Sequence, residues 1–147
     1  MVRICLKRSA RDTMMYLIDA NVVLETLYKR DRWEASYLLL NRIKGGSIKA
    51  YMLRFTIHGI SAILGNPGLV ARFLGEVMTW RGLTIADLSI HEEISACNLA
   101  SDAGLDFDDG LHYYYAKSRG VPIVSFDTDF DALDIRRLEP QDILHTG

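Results

Sequence analysis

The sequence is short of the features that mark several large classes of protein. It holds two cysteines, Cys5 and Cys97, in 147 residues. That is too few for a disulfide framework, and their spacing is unlike that of metal ligands, so both are read as inert thiols of a reducing cytoplasm. No apolar run approaches the roughly 20 residues that a membrane-spanning helix needs. The longest, Leu53 to Leu64, is broken by Arg54 and His58 and reads as a buried helix. An excess of one charge is missing too: the formal net charge is −2. Without a global basic field, any nucleic-acid contact must come from a local patch or from bound cations. Arg3, Lys7, Arg8 and Arg11 surround Ile4-Cys5-Leu6, but these first residues lack the long apolar core of a secretion signal. Residues 1–13 are expected to be a basic N-terminal extension. There is no repeat, low-complexity tract or linker, and the length suits one core, so residues 14–147 are expected to form a single domain.

What is present is a succession of short apolar runs separated by helical patterns. Met15 to Ile18, Ser47 to Leu53, Leu83 to Leu88 and Val121 to Phe126 read as strands, with an edge strand around Ile135 to Leu138. Between them lie helical stretches: Val22 to Tyr28; a stripe of Trp33, Tyr37, Leu38, Leu40 and Ile43; Ile57 to Leu64; and Leu69 to Met78. Asp31 with Glu34, and Ser89 with Glu92, have the spacing of capping boxes, and Thr56 is a candidate cap for its helix. Asp108-Asp109 opens a further helix that stops at Gly120. Strands alternating with helices imply βαβ crossovers and a parallel sheet covered on both faces, an α/β/α sandwich.

Four aspartates, Asp19, Asp109, Asp127 and Asp129, sit where an apolar run begins or ends, a placement that folding alone does not require. A strand stops at Asp19 and another at Asp127. If the two strands are parallel neighbours, both carboxylates emerge at the edge where open α/β sheets place their ligands. Carboxylates crowded there repel one another unless they share a proton or a cation. Magnesium and manganese prefer such hard oxygen ligands, and divalent cations assist phosphodiester cleavage by neutralising charge and lowering the pKa of bound water. Each residue also has a plainer reading: Asp19 as a helix cap, Asp108 and Asp109 as complements to a helix dipole, and Asp127, Asp129 and Asp131 as turn residues.

Three segments in order carry a resemblance: Leu17-Ile18-Asp19-Ala20-Asn21-Val22; Phe107-Asp108-Asp109-Gly110-Leu111-His112 followed by Tyr114-Tyr115-Ala116-Lys117; and Ile123-Val124-Ser125-Phe126-Asp127-Thr128-Asp129-Phe130. From Met15 to Leu144 the chain resembles a PIN domain, the metal-dependent ribonuclease fold that includes toxins of many toxin–antitoxin pairs. The resemblance implies a three-layer α/β/α sandwich with a mainly parallel sheet. It implies acidic metal ligands at Asp19, Asp109 and Asp127, a further carboxylate at Asp129, and supporting roles for Asn21 and Ser125. It also implies Mg²⁺ or Mn²⁺ as cofactor, an RNA substrate, a 5′-phosphate product, a small antitoxin as partner and a homodimer. Many members carry a glutamate on the third helix, a place read here as His58. A neutral imidazole there removes a negative charge and suits magnesium poorly.

Two other functions compete with the endoribonuclease. His58 in place of the glutamate motivates a catalytically weakened module that binds RNA or protein. A phosphatase with an aspartate nucleophile at Asp19 would want a second acid two residues on, where Asn21 stands. Glu25 is a candidate to restore part of the missing charge, its plainer reading being an ordinary helix-face carboxylate. His112 is placed beside Asp109 on one helix side, where it could orient that carboxylate, with exposure expected.

Overall fold

The computed structural model of the protein describes residues 14–144; the expected basic extension over 1–13 lies outside them. Five strands form one sheet: β1 (Met15–Ile18), β2 (Lys49–Leu53), β3 (Leu83–Ala86), β4 (Ile123–Val124) and β5 (Arg137–Leu138). Their order is β3-β2-β1-β4-β5, and every neighbouring pair is parallel. The chain runs outward from β1 to β3, then returns to place β4 on the other side of β1. The order of strands therefore reverses between β1 and β4, and in open parallel sheets the crevice beyond such a reversal is where ligands bind.

Among the described residues seven helices cover the sheet: α1 (Ala20–Leu27), α2 (Trp33–Gly45), α3 (Arg54–Leu64), α4 (Pro67–Val77), α5 (Ile90–Ala103), α6 (Phe107–Arg119) and α7 (Pro140–Leu144). Successive strand side chains point to opposite faces, and the two cores follow that alternation. Tyr16, Ile18, Ala50, Met52 and Val124 pack with α1 to α4 and α7. Leu17, Leu53 and Ile123 pack on the other face with Ala96 of α5 and Leu111, Tyr115 and Ala116 of α6. This is the expected α/β/α sandwich. Among the described residues no helix is long and apolar enough to cross a membrane.

Several local expectations need correction. The residue before α2 is Arg32, which makes no side-chain cap, so Asp31 and Glu34 do not form the expected capping box. The Arg32 backbone N–H instead donates to Glu25 Oε2 at 2.7 Å. Glu25 is thus a buried clamp on the α1–α2 turn, with one of its oxygens committed to that backbone. Helix α3 begins at Arg54, which puts Thr56 inside it rather than at its cap. Ser89 and Glu92 do form the reciprocal capping box that starts α5. Helix α6 starts one residue earlier than expected, capped by the Asp106 side chain.

Helix α6 lies unusually close to α5, and Gly110 is the reason. A Cβ at that position would stand 2.5 Å from Ala100 Cβ, closer than carbon atoms pack. The missing side chain lets the first turn of α6, which carries Asp109, press onto α5 and sit over the crevice.

Candidate metal centre

The centre is built from chain ends that turn over the crevice between β1 and β4. Asp19 follows β1 directly and caps α1 from an extended backbone, its Oδ1 accepting the Ala20 N–H at 2.7 Å. Its other oxygen, Oδ2, accepts from Ser125 Oγ at 2.7 Å. Ser125 lies one residue beyond β4 and is fully buried. Its hydroxyl also accepts from Asn21 Nδ2 and from the Asp127 N–H, each at 3.0 Å. One donor and two acceptor sites are all that a hydroxyl offers, so Ser125 is saturated. Asn21 completes the tie by accepting the Phe126 N–H at 3.3 Å. These bonds lock the end of β1 to the end of β4 and fix Asp19 and Asp127 relative to one another.

Asp127 precedes a short 3-10 turn (Thr128–Ala132) and caps it, Oδ1 accepting the Asp129 N–H at 2.9 Å. Asp109 stands in the first turn of α6. Carboxylate oxygens of Asp109, Asp127 and Asp129 lie within 4.8 Å of one another. Asp19 flanks this trio, joined to it through Ser125. The crowding has an electrostatic consequence. Burial, together with the charges of Asp106, Asp127, Asp108 and Asp19, pushes the Asp109 carboxyl up from 3.8 to about 7. A proton or a cation relieves that repulsion, and three hard oxygen donors in reach of one another fit a divalent ion of the magnesium or manganese type.

Two residues at the centre depart from expectation, Asp106 in its presence there and His112 in its burial. Asp106 supplies the α6 cap, accepting the Asp109 N–H at 3.0 Å, and adds to the local negative charge. His112 was expected at the surface and is instead 1% exposed. Its Nδ1 lies 2.9 Å from the Asp108 carbonyl oxygen and 3.1 Å from the Asp108 carboxylate. A carbonyl only accepts, so Nδ1 carries a proton. Its Nε2 lies 2.8 Å from Thr56 Oγ1 and 3.8 Å from Asp19 Oδ1. Burial alone would lower the imidazole, but the Asp108 hydrogen bonds and the charges of Asp19 and Asp108 outweigh it and push His112 up to about 9. The balance favours the protonated ring at neutral pH, the form in which Nε2 donates to Thr56. The spacing of Asp108 and His112, four residues apart on one helix face, was the available sequence signal.

His58 does not join the group. Helix α3 turns Thr56, Ile57 and Ile60 inward, and the helical repeat leaves His58 exposed, lining a pocket with Arg54, Phe55 and Glu93. It is exposed rather than in the core and lies outside the trio of converging carboxylates. Thr56, committed to His112, is the α3 side chain bonded to this cluster, and α3 holds no acidic residue.

Comparison with known proteins agrees with the fold. The model of the family described as PIN domain matches residues 16–136. No curated protein matches the chain. Among solved structures, the chain is similar to VapC20 of Mycobacterium tuberculosis, described as a sarcin–ricin-loop-cleaving toxin, with a TM-score of 0.68 and 14% identity over 85% of this chain and 99% of that one. It is similar to a toxin–antitoxin complex from Klebsiella pneumoniae with a TM-score of 0.65 and 14% identity, covering 85% of this chain and 97% of that one. PAE2754 from Pyrobaculum aerophilum superimposes with a TM-score of 0.61 and 22% identity, over 90% and 94% of the respective chains. At these identities the likeness concerns the fold.

Proposed function

The chain belongs to the PIN domain family, and from that premise we propose that it is a metal-dependent endoribonuclease. The observation that carries the reading is the convergence of Asp109, Asp127 and Asp129 oxygens within 4.8 Å at the strand switch point. Asp19, Asp109, Asp127 and Asp129 would hold Mg²⁺ or Mn²⁺, which when bound neutralises phosphate charge and acidifies a water for in-line attack. Ser125 and Asn21 act beneath them as positioning residues, holding Asp19 and the Asp127 backbone at fixed separation. His112 places a buried positive charge behind Asp19 and Asp108, offsetting part of the carboxylate repulsion without occupying the open side of the centre.

The partner class follows from the relatives. One of the similar structures is described as a toxin–antitoxin complex, and the counterpart here would be a small protein whose arginine or lysine competes for the same carboxylates.

A second reading is favoured by α3, which brings Thr56 rather than a carboxylate to the His112 cluster. With fewer acidic ligands, the domain would act as a weakened enzyme or as a binding module. Calorimetric titration with Mn²⁺ and cleavage of a long single-stranded RNA separate the readings. The nuclease requires Mn²⁺ binding, and cleavage leaving 5′-phosphates, that both fall in Asp19→Asn and Asp109→Asn. Binding of Mn²⁺ without cleavage supports the module, and failure of both removes the metal centre.

A further inference from the structure

A pocket of about 150 Å³ opens between the ends of β2 and β3 and helices α3, α5 and α6. Its floor is apolar, made by Leu53, Ala86 and Leu111. Leu53 and Ala86 pair with each other as the last residues of β2 and β3, on the same sheet edge as Asp19. The register Leu17 to Tyr51, continued by two residues, sets Leu53 next to Asp19. Leu111 is two residues beyond Asp109 on α6. Pocket and centre therefore lie at the same end of the sheet. The volume is well below the roughly 300–1,000 Å³ of sites that enclose a drug-sized molecule, which leaves room for one ring system.

The walls have the chemistry of base recognition. Phe55 lines the pocket and is 39% exposed. Its ring is braced edge-on by Phe107, at 5.5 Å between centroids and 87° between planes, and Phe107 is two residues before Asp109. Of the two carboxylates on the rim, Asp87 is paired with Arg54 at 3.3 Å. Glu93 is half-buried and has no hydrogen-bond or ion-pair partner for its side chain among the described residues. A carboxylate offers two acceptors side by side. Among the four bases only guanine presents two adjacent donors on its Watson–Crick edge, the ring N–H and the exocyclic amine. Adenine and cytosine pair one donor with an acceptor, and uracil flanks its donor with acceptors. Unpaired bases are recognised in this way, by stacking on an aromatic ring and hydrogen bonding at the edge.

We propose that this pocket is a subsite for one unpaired guanine adjoining the phosphodiester at the acidic centre, stacked on Phe55 and read by Glu93. The inference rests on the nuclease reading, because it takes RNA as the ligand. It is tested on the full chain in two ways. The first is amide NMR titration with 5′-GMP, 5′-AMP, 5′-CMP and 5′-UMP in EDTA. The second is Mn²⁺-dependent cleavage of unstructured oligoribonucleotides carrying a single guanine at varied positions.

The expected result is GMP binding about tenfold tighter than the other nucleotides, with shifts at Leu53, Ala86 and Leu111, and cuts that follow the guanine. Glu93→Gln should erase the preference while leaving Mn²⁺ affinity unchanged. Phe55→Ala should weaken every base by about tenfold. Equal binding of all four nucleotides, no binding, or a preference that survives Glu93→Gln overturns the proposal. Cleavage blind to guanine sinks the subsite and leaves the nuclease standing. Selective GMP binding by a chain that cleaves nothing keeps the pocket and sinks the nuclease.

Discussion

Replacing Asp109 by asparagine should stabilise the metal-free protein above neutral pH. The Asp109 carboxyl is held at about 7 in the fold, against 3.8 when unperturbed, first by burial and then by neighbouring carboxylates. Between those values the native state binds the proton that the unfolded chain has lost, so stability falls as pH rises from about 4 to 7. Above 7 both states are ionised and the native state bears the full repulsion. A displacement of that size corresponds to about 4 kcal/mol at ~1.36 kcal/mol per decade of proton affinity. Asp109 is partly open to water, which screens the repulsion, so about 1–2 kcal/mol is the expected gain. Urea unfolding in EDTA should then show Asp109→Asn and the parent equal at pH 3.5, where both side chains are neutral, and the variant ahead by that amount at pH 8. The His112 contribution is common to both proteins and drops out of the difference. Saturating Mn²⁺ should reverse the order, because an ion that binds only the native parent adds its binding free energy to stability. Coincident unfolding curves at pH 8 in EDTA would refute the argument that Asp109 carries unrelieved charge.

Ser125→Ala removes a saturated buried hydroxyl and should cost about 1–3 kcal/mol in urea unfolding, with Mn²⁺ affinity down about 10–100-fold by calorimetry; a loss under 0.5 kcal/mol contradicts the positioning role. Gly110→Ala should destabilise by about 1–3 kcal/mol through the clash with Ala100, and Ala100→Gly in the same chain should recover part of that loss; additivity of the two changes would show that the helices do not meet there. His112, held at about 9, contributes stability that is complete below its unfolded value near 6.5 and lost as pH rises through 9. Thermal melts of His112→Leu should therefore decline less than the parent over that window; a parent curve that falls no more steeply than the variant's there removes the buried imidazolium.

The ends of β1 and β4 were legible because an apolar run that halts at a carboxylate is a local signal, and the parallel pairing of Ile18 with Val124 carries Asp19 and Asp127 to one edge. Helix faces were harder to read. In α3 the sequence Thr56-Ile57-His58-Gly59-Ile60 suits either of two orientations until Ile57 and Ile60 are known to enter the core, which they do with Thr56 and without His58. In α6, residues 110–113 are all buried, since the helix is pressed against α5 at Gly110 and against the crevice at its start. A polar residue in so enclosed a turn breaks the amphipathic pattern from which exposure is judged, and His112 was misplaced for that reason. The pairing of β4 is only two residues long on both of its sides, a limit set by its neighbours' register that the apolar run from Val121 to Phe126 does not contain.

Capping and metal binding are alternatives only if a carboxylate is treated as a single acceptor. Asp19 gives Oδ1 to the Ala20 N–H, and Asp127 gives Oδ1 to the Asp129 N–H. In Asp127 the second oxygen is free of the cap, and in Asp19 it is aligned by Ser125. One function therefore fixes the geometry of the other. Helices α1 and α6 both begin at the centre, so the positive ends of their dipoles face the carboxylates, and His112 adds a full charge from below. These devices are still insufficient, since Asp109 remains at about 7. The fold thus offsets enough repulsion to assemble the cluster and leaves a deficit of positive charge on its open side, which a divalent cation would fill in place of a proton.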